Sequence, residues 1–255
     1  MIPLLALCAA GCGPRDAAPS LETPIPLTLT AADGAQISAT LYPADDTDHS
    51  SGVVLVHDKG GNAGQWNGFA RRLQRSGIAA IAFDMRGHGA SSGPDGQPVS
   101  LRDFTPHDWL QAIYDIQAAR NALPAHGIDP DNLAVVGAGM GANLAAHYAA
   151  QDETIQALVL VSPGLEYDGV TIRRAFEAYD LRPSLLVATE GDTYAASSAH
   201  TLKRNASTFC DLREYPGGTR GMDIIQSLAS AREEIVFWLE SMLLSPQYAP
   251  RAARP

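Results

Sequence analysis

"VVGAGMGANLAAHYAA", Val135 to Ala150, sets glycines 137, 139 and 141 between a β-branched run and an alanine-rich segment. A buried strand that turns sharply into a helix needs such residues at the bend, because glycine accepts positive φ and allows close approach of backbone. The stretch also satisfies G-x-G-x-x-A, the glycine pattern of a dinucleotide-binding loop. That pattern requires an acidic residue about 20 positions on, at the end of the next strand. Here "ALVLVSPG" ends in Ser162 and Pro163 instead. No nucleotide, metal or other cofactor is expected.

Working outward, the same strand-then-helix rhythm recurs. "GVVLVH" (52–57) precedes "WNGFARRLQRSG", in which Trp66, Phe69 and Leu73 fall at helical intervals before Gly77. "IAAIAFD" precedes "HDWLQAIYDIQAARNAL", "NLAVVG" precedes "ANLAAHYAA", and "IQALVLVSPG" precedes "RRAFEAYDL". "SLLVATEGD", "AASSAHTLKRNA", "CDLREYP" and "MDIIQSLASAREEIVFWLESML" complete the series, the last read as one helix. Ahead of it all, "IPLTLTAADGAQISATLYPA" alternates around Asp33-Gly34 as a hairpin does. These elements predict one α/β domain over 25–243, with about eight mostly parallel strands and helices on both faces. Only ten residues, Gly164 to Arg173, follow the "VLVS" strand, which leaves no room for a large lid.

The chain has 255 residues and a formal charge of −10. That balance argues against nucleic acid or an anionic membrane as a general partner, since both need a cationic face. The opening "MIPLLALCAAGCGPRDAAPS" is a short apolar run with Ala9, Ala10 and Gly11 before Cys12, then a Pro, Ala and Ser tether. It resembles a bacterial lipoprotein signal (1–12) with tether (13–24). The resemblance implies an exported protein lipidated at Cys12, touching membrane only through that anchor. Residues 244–255 read as a tail. Cys210, in "STFCDLREY", reads as a small buried core residue.

Taken together, the motifs resemble the α/β-hydrolase family, in particular its bacterial esterase and dienelactone-hydrolase-like members, over residues 25–243. Gly137 to Gly141 fits the nucleophile elbow G-x-S-x-G. "VLVHDKGGNAGQW" looks like the oxyanion loop, "AFDMRGHGASSG" like the D-x-R-G-H-G-x-S turn, "TEGDTYA" like the acid loop, and "YPGGTRGMD" like the histidine loop. Carried over by position, the resemblance places Gly139 at the nucleophile, Arg220 at the histidine and Asp192 at the acid. It assigns the oxyanion donors to the backbone N–H groups of Lys59 and Met140.

Acyl transfer needs an attacking side-chain atom, a base to deprotonate it and a carboxylate to orient the base. Glycine has nothing to attack with, and arginine stays protonated with no acceptor nitrogen. Of the histidines, only His200 follows Asp192, and it lies on the next helix; His57 and His88 read as loop braces. Ser91, Ser92 and Ser162 do not stand on a strand-to-helix elbow. Asp58 and Lys59 read as an exposed charge pair beside the oxyanion loop. The expected function is therefore that of a hydrolase-fold protein that has lost serine catalysis and binds an unknown small-molecule or peptide ligand, or serves as a scaffold. An ester or acyl hydrolase with a non-standard site is the alternative. An Arg220–Asp192 ion pair and a surviving anion site at the Met140 amide are expected with it.

Overall fold

The computed structural model describes residues 21–44, 51–179, 181–206 and 209–245. The expected signal, most of the tether and most of the tail, with Cys12, lie outside them.

The strands in chain order are β1 (Ile25–Thr30), β2 (Gln36–Tyr42), β3 (Gly52–Val56), β4 (Ala79–Phe83), β5 (Leu133–Ala138), β6 (Ile155–Val161), β7 (Glu166–Tyr167), β8 (Val170–Thr171), β9 (Ser184–Thr189) and β10 (Cys210–Tyr215). The helices are α1 (Asn67–Arg75), α2 (Pro106–Gln111), α3 (Ile113–Ala122), α4 (Met140–Ala149), α5 (Arg173–Ala178), α6 (Thr193–Asn205), α7 (Met222–Ser227) and α8 (Ala229–Leu243). Eight strands form one sheet in the order β1-β2-β4-β3-β5-β6-β9-β10. β2 pairs antiparallel with β1 and β4, and every other pairing in the sheet is parallel. The mostly parallel eight-stranded sheet expected from the sequence is present.

β3, β4, β5 and β9 are buried along their whole length, which is why they read as unbroken apolar runs rather than alternating ones. One face packs under α2 to α6 and the other under α1, α7 and α8. Trp66, Phe69 and Leu73 are buried on the second face as their spacing predicted. Each contributes about 1.5–3 kcal/mol of apolar burial. At the start of the described chain the Glu22 carbonyl accepts from Arg71 Nη1 and Gln74 Nε2 on α1, both at 2.9 Å.

Two helices read as single are each broken in two. At Ala112 the helix tightens to i→i+3 bonds, Ala112 N–H to Trp109 O and Asp115 N–H to Ala112 O. Trp109 and Asp115 both point inward as a result, each no more than 1% exposed. At Leu228 the backbone is extended (φ −95°, ψ 94°). Just before it the Ser227 hydroxyl bonds the Asp223 carbonyl, competing with the helix ladder. The segment read as a plain loop after β6 carries the β7–β8 hairpin, turning at Asp168 (φ 46°) and Gly169 (φ 80°).

Candidate active site

Gly139 stands alone between the end of β5 and the first residue of α4, with φ 54° and ψ −119°. Its N–H donates to Val161 O at 2.9 Å and its carbonyl accepts the Ala142 N–H at 3.0 Å, so the bend is locked to β6 on one side and to the helix on the other. Positive φ is the reason glycine suits the position. At Gly141 the reason is contact: a β-carbon there would lie 2.3 Å from the His57 carbonyl oxygen. The strand, turn and helix expected of this stretch are therefore built against the carboxyl end of β3.

That strand delivers Asp58 into the bend. Asp58 Oδ1 accepts the Met140 N–H at 2.8 Å and the Lys59 N–H at 2.7 Å. A β-carbon on Gly139 would fall 2.1 Å from both Cγ and Oδ1 of Asp58, and one on Gly221 (φ 52°) would fall 2.6 Å from Oδ2. The exposed Asp58–Lys59 charge pair expected from the sequence is not formed. Asp58 turns inward and is partly buried, whereas Lys59 Nζ reaches across to Asp168 Oδ2 at 2.8 Å and lies 5.7 Å over the Trp109 ring. The reason is that two unsatisfied N–H groups attract a carboxylate more strongly than a solvated ammonium does. Burial pushes the Asp58 carboxyl above its ordinary range against the pull of those N–H groups, and the nearby Asp192 and Asp168 charges push the same way.

Asp192 caps α6, its Oδ1 accepting the Ala195 N–H at 3.4 Å, and is only 6% exposed. Arg220 Nη2 stands 4.0 Å from that oxygen with 70% of its side chain in solvent. The anticipated ion pair is thus a long contact without a hydrogen bond. Beside Arg220, a cleft of about 200 Å³ runs past Asp58, Gly61, Gln65 and Asp223. On the other side the β7–β8 hairpin covers the bend. The Tyr167 hydroxyl donates to Ser162 O at 3.0 Å, and burial first, then Asp192 and Asp58, raise the pKa of that phenol. Asn143 on α4 fastens the hairpin by donating to Val170 O at 3.0 Å and accepting the Gly164 N–H at 3.3 Å.

The histidines and the serine considered as replacements are each held by other contacts. His57 Nδ1 lies 2.7 Å from Asp58 O, and its Nε2 accepts the Met85 N–H at 3.0 Å. Burial lowers the His57 pKa to about 4. His88 Nε2 accepts the Gly60 N–H at 3.0 Å, so both imidazoles brace loops. His200 sits at the surface against Glu214, 3.0 Å away. Ser162 is buried at φ 48°, its Oγ accepting the Gly221 N–H at 2.9 Å. Arg86 of the "DMRGHG" turn is clamped between Asp115 and Asp33. The groups brought together are Gly139, Met140, Lys59, Asp192, Arg220 and, unforeseen in that place, Asp58. Tyr167 and Asn143 were missed as well, although an amide inside the apolar "ANLAAHYAA" helix was a visible signal.

A profile for serine aminopeptidase, S33 matches residues 47–207, more than half of the chain. A monoacylglycerol lipase of Mycolicibacterium smegmatis is 31% identical over 130 residues, covering 49% of this chain and 42% of that protein. An uncharacterised abhydrolase domain-containing protein of Dictyostelium discoideum is 27% identical over 146 residues, 55% of this chain and 14% of its own length. The chain thus spans less than half of either relative. Among solved structures, an esterase from Pyrococcus furiosus superposes with a TM-score of 0.70 at 17% identity, covering 88% of this chain and 92% of its own. An α/β hydrolase from Penicillium sp. sh18 gives 0.70 at 13%, covering 88% and 100%. The fold is the α/β-hydrolase fold, and the match over residues 47–207 makes the chain a member of the serine aminopeptidase S33 family.

Proposed function

We propose that this chain is a non-catalytic member of its family: an exported protein, lipid-anchored at Cys12, that keeps the hydrolase scaffold without the serine mechanism and offers its cleft to a small-molecule or peptide ligand. The observation that carries the reading is Gly139, which occupies the bend between β5 and α4 with no side-chain atom to attack a carbonyl. Arg220, at the position of the base, is fixed as a cation and cannot accept a proton. Asp192 then orients nothing that titrates near neutrality.

The test is hydrolysis of p-nitrophenyl acetate and butyrate by the natural protein beside Asp192→Ala, with fluorophosphonate labelling in parallel. The expected outcome is equal background rates and no covalent adduct. A natural rate well above that of Asp192→Ala overturns the proposal.

A second reading, an ester or acyl hydrolase with a non-standard site, draws on one feature: the Asp58 carboxylate stands where a side chain on Gly139 would be. The lipase and esterase names of its relatives agree with it. Under that reading Asp58→Asn abolishes whatever rate the natural protein has. For the anchor, mass spectrometry of membrane fractions is expected to find a diacylated Cys12 terminus, and an unmodified chain retaining Met1 refutes it.

A further inference from the structure

We propose that Asp58 is a built-in ligand of the two backbone donors at the bend, closing them to any acyl oxygen, and that the pocket it fills is a site for small carboxylates once Asp58 is removed. The proposal deepens the reading of a lost serine mechanism and depends on it only for the reactivation experiment below.

Three features of this one carboxylate point the same way. One carboxylate oxygen takes both N–H groups, Met140 at 2.8 Å and Lys59 at 2.7 Å, which is the pair of bonds an oxyanion would need. The carboxylate also overlaps the space of a side chain at Gly139, with its Cγ 2.1 Å from where a β-carbon would be. Its second oxygen closes against Gly221, where a β-carbon would come within 2.6 Å. Gly139, Gly221 and Asp58 therefore form one interlocking set, each glycine leaving room for the same carboxylate. His57 holds the arrangement from behind, through the 2.7 Å contact of its Nδ1 with the Asp58 carbonyl.

This changes what the pocket can accept. The fixed N–H pair and the start of α4 favour a negative group, and Asp58 supplies it within the chain. An outside carboxylate would compete with a tethered one for the same two donors while facing Asp192 and Asp168 as further negative charges. Lys59 is taken up by Asp168 at 2.8 Å, and Arg220, 4.0 Å from Asp192 with 70% of its side chain in solvent, screens Asp192 only weakly, so neither is left over for an incoming anion. Replacing Gly139 and Arg220 alone would restore the attacking pair yet leave Asp58 in the cleft, either holding the donors or displaced beside the forming oxyanion.

The decisive experiment follows the Lys59 and Met140 amide signals in ¹H–¹⁵N NMR spectra of the natural chain, Asp58→Asn and Asp58→Gly. In the natural protein both amide protons are expected downfield of their positions in Asp58→Asn, moving together as pH falls and the carboxylate protonates; Asp192, Asp168, Tyr167, Arg220 and Lys59 are the groups that face it. Sodium acetate is expected to shift both signals saturably in Asp58→Gly and to leave the natural protein unchanged. Equal amide positions in the natural protein and Asp58→Asn overturn the proposal, and so does saturable acetate binding by the natural protein. If Asp58→Gly fails to fold, the comparison with the isosteric Asp58→Asn still decides.

The reactivation arm compares Gly139→Ser plus Arg220→His with the same pair plus Asp58→Gly. The triple variant is expected to hydrolyse p-nitrophenyl acetate at least about tenfold faster, since the loss of oxyanion donation is worth about 10²–10³ in rate. Equal rates count against the proposal. Activity in the natural protein would refute the lost-mechanism reading without moving the amide signals, so the two failures can be told apart.

Discussion

His57 Nε2 lies 3.0 Å from the amide nitrogen of Met85, a bond that an imidazole accepts only while that nitrogen carries no proton. Burial keeps the ring neutral down to about pH 4, against 6.5 for a free histidine. Unfolding exposes a ring that takes up a proton below 6.5. The contribution of His57 is thus fully present above pH 6.5 and is lost as pH falls towards 4, reaching roughly 3 kcal/mol. Asp58 and Asp115 have raised pKa values, so they oppose this slope and stabilise as pH falls. Urea unfolding of the natural protein and His57→Gln at pH 7.5, 5.5 and 4.5 isolates the histidine. The stability gap between them is expected to narrow as pH drops.

Gly139→Ala is expected to cost about 1–3 kcal/mol, because its φ of 54° strains an L-residue and the new methyl meets Asp58. Part of the cost belongs to the Asp58 carboxylate and should vanish in an Asp58→Gly background. A double-mutant cycle by chemical denaturation is expected to give a coupling of at least about 0.5 kcal/mol. Strict additivity would mean that the two residues do not share that space.

Arg86→Met should be far more damaging than its distance from the cleft suggests. It leaves Asp115, fully buried, without the guanidinium that compensates it, a loss of about 3–5 kcal/mol. Asp115 already has its pKa raised to about 6 by burial with Arg86 in place. The variant is therefore expected to lose more stability at pH 8 than at pH 5.5, where the stranded carboxyl takes up a proton. Thermal unfolding at the two pH values reads the difference.

Two of the fasteners of the β7–β8 hairpin should differ in strength. Lys59–Asp168 is an ion pair with both side chains over 40% exposed, so Lys59→Ala should cost less than about 1 kcal/mol. Asn143→Leu leaves the Val170 carbonyl and the Gly164 N–H without their partner inside the protein and should cost about 1–3 kcal/mol. Hydrogen exchange across residues 164–172 is expected to rise in Asn143→Leu and to change little in Lys59→Ala.

The sheet was legible because its central strands are buried on both faces and leave continuous β-branched runs in the chain. The bend at Gly139 was legible because a glycine-rich turn between a strand and a helix has few alternatives. Local competition hid the helix breaks: a serine hydroxyl bonding its own turn at Ser227 and a tightened turn at Ala112 barely disturb hydrophobic periodicity. The β7–β8 hairpin was hidden by its two-residue strands, although Asp168-Gly169 is the same turn pair that revealed Asp33-Gly34. Asp58 was misread for a different reason. Adjacent charges say nothing about which way each side chain rotates, and only the folded positions of the Met140 and Lys59 amides, the first 82 residues away in the chain, decide it.

The grip of Arg71 and Gln74 on the Glu22 carbonyl fixes where the described chain begins against α1. α1 descends from the carboxyl end of β3 towards the level where β3 and β4 begin, so Glu22 is pinned at the amino ends of the strands, whereas Gly139, Asp58 and Arg220 gather at their carboxyl ends. The mouth of the cleft therefore opens at the end of the sheet opposite Glu22, and a ligand reaches it without passing the start of β1.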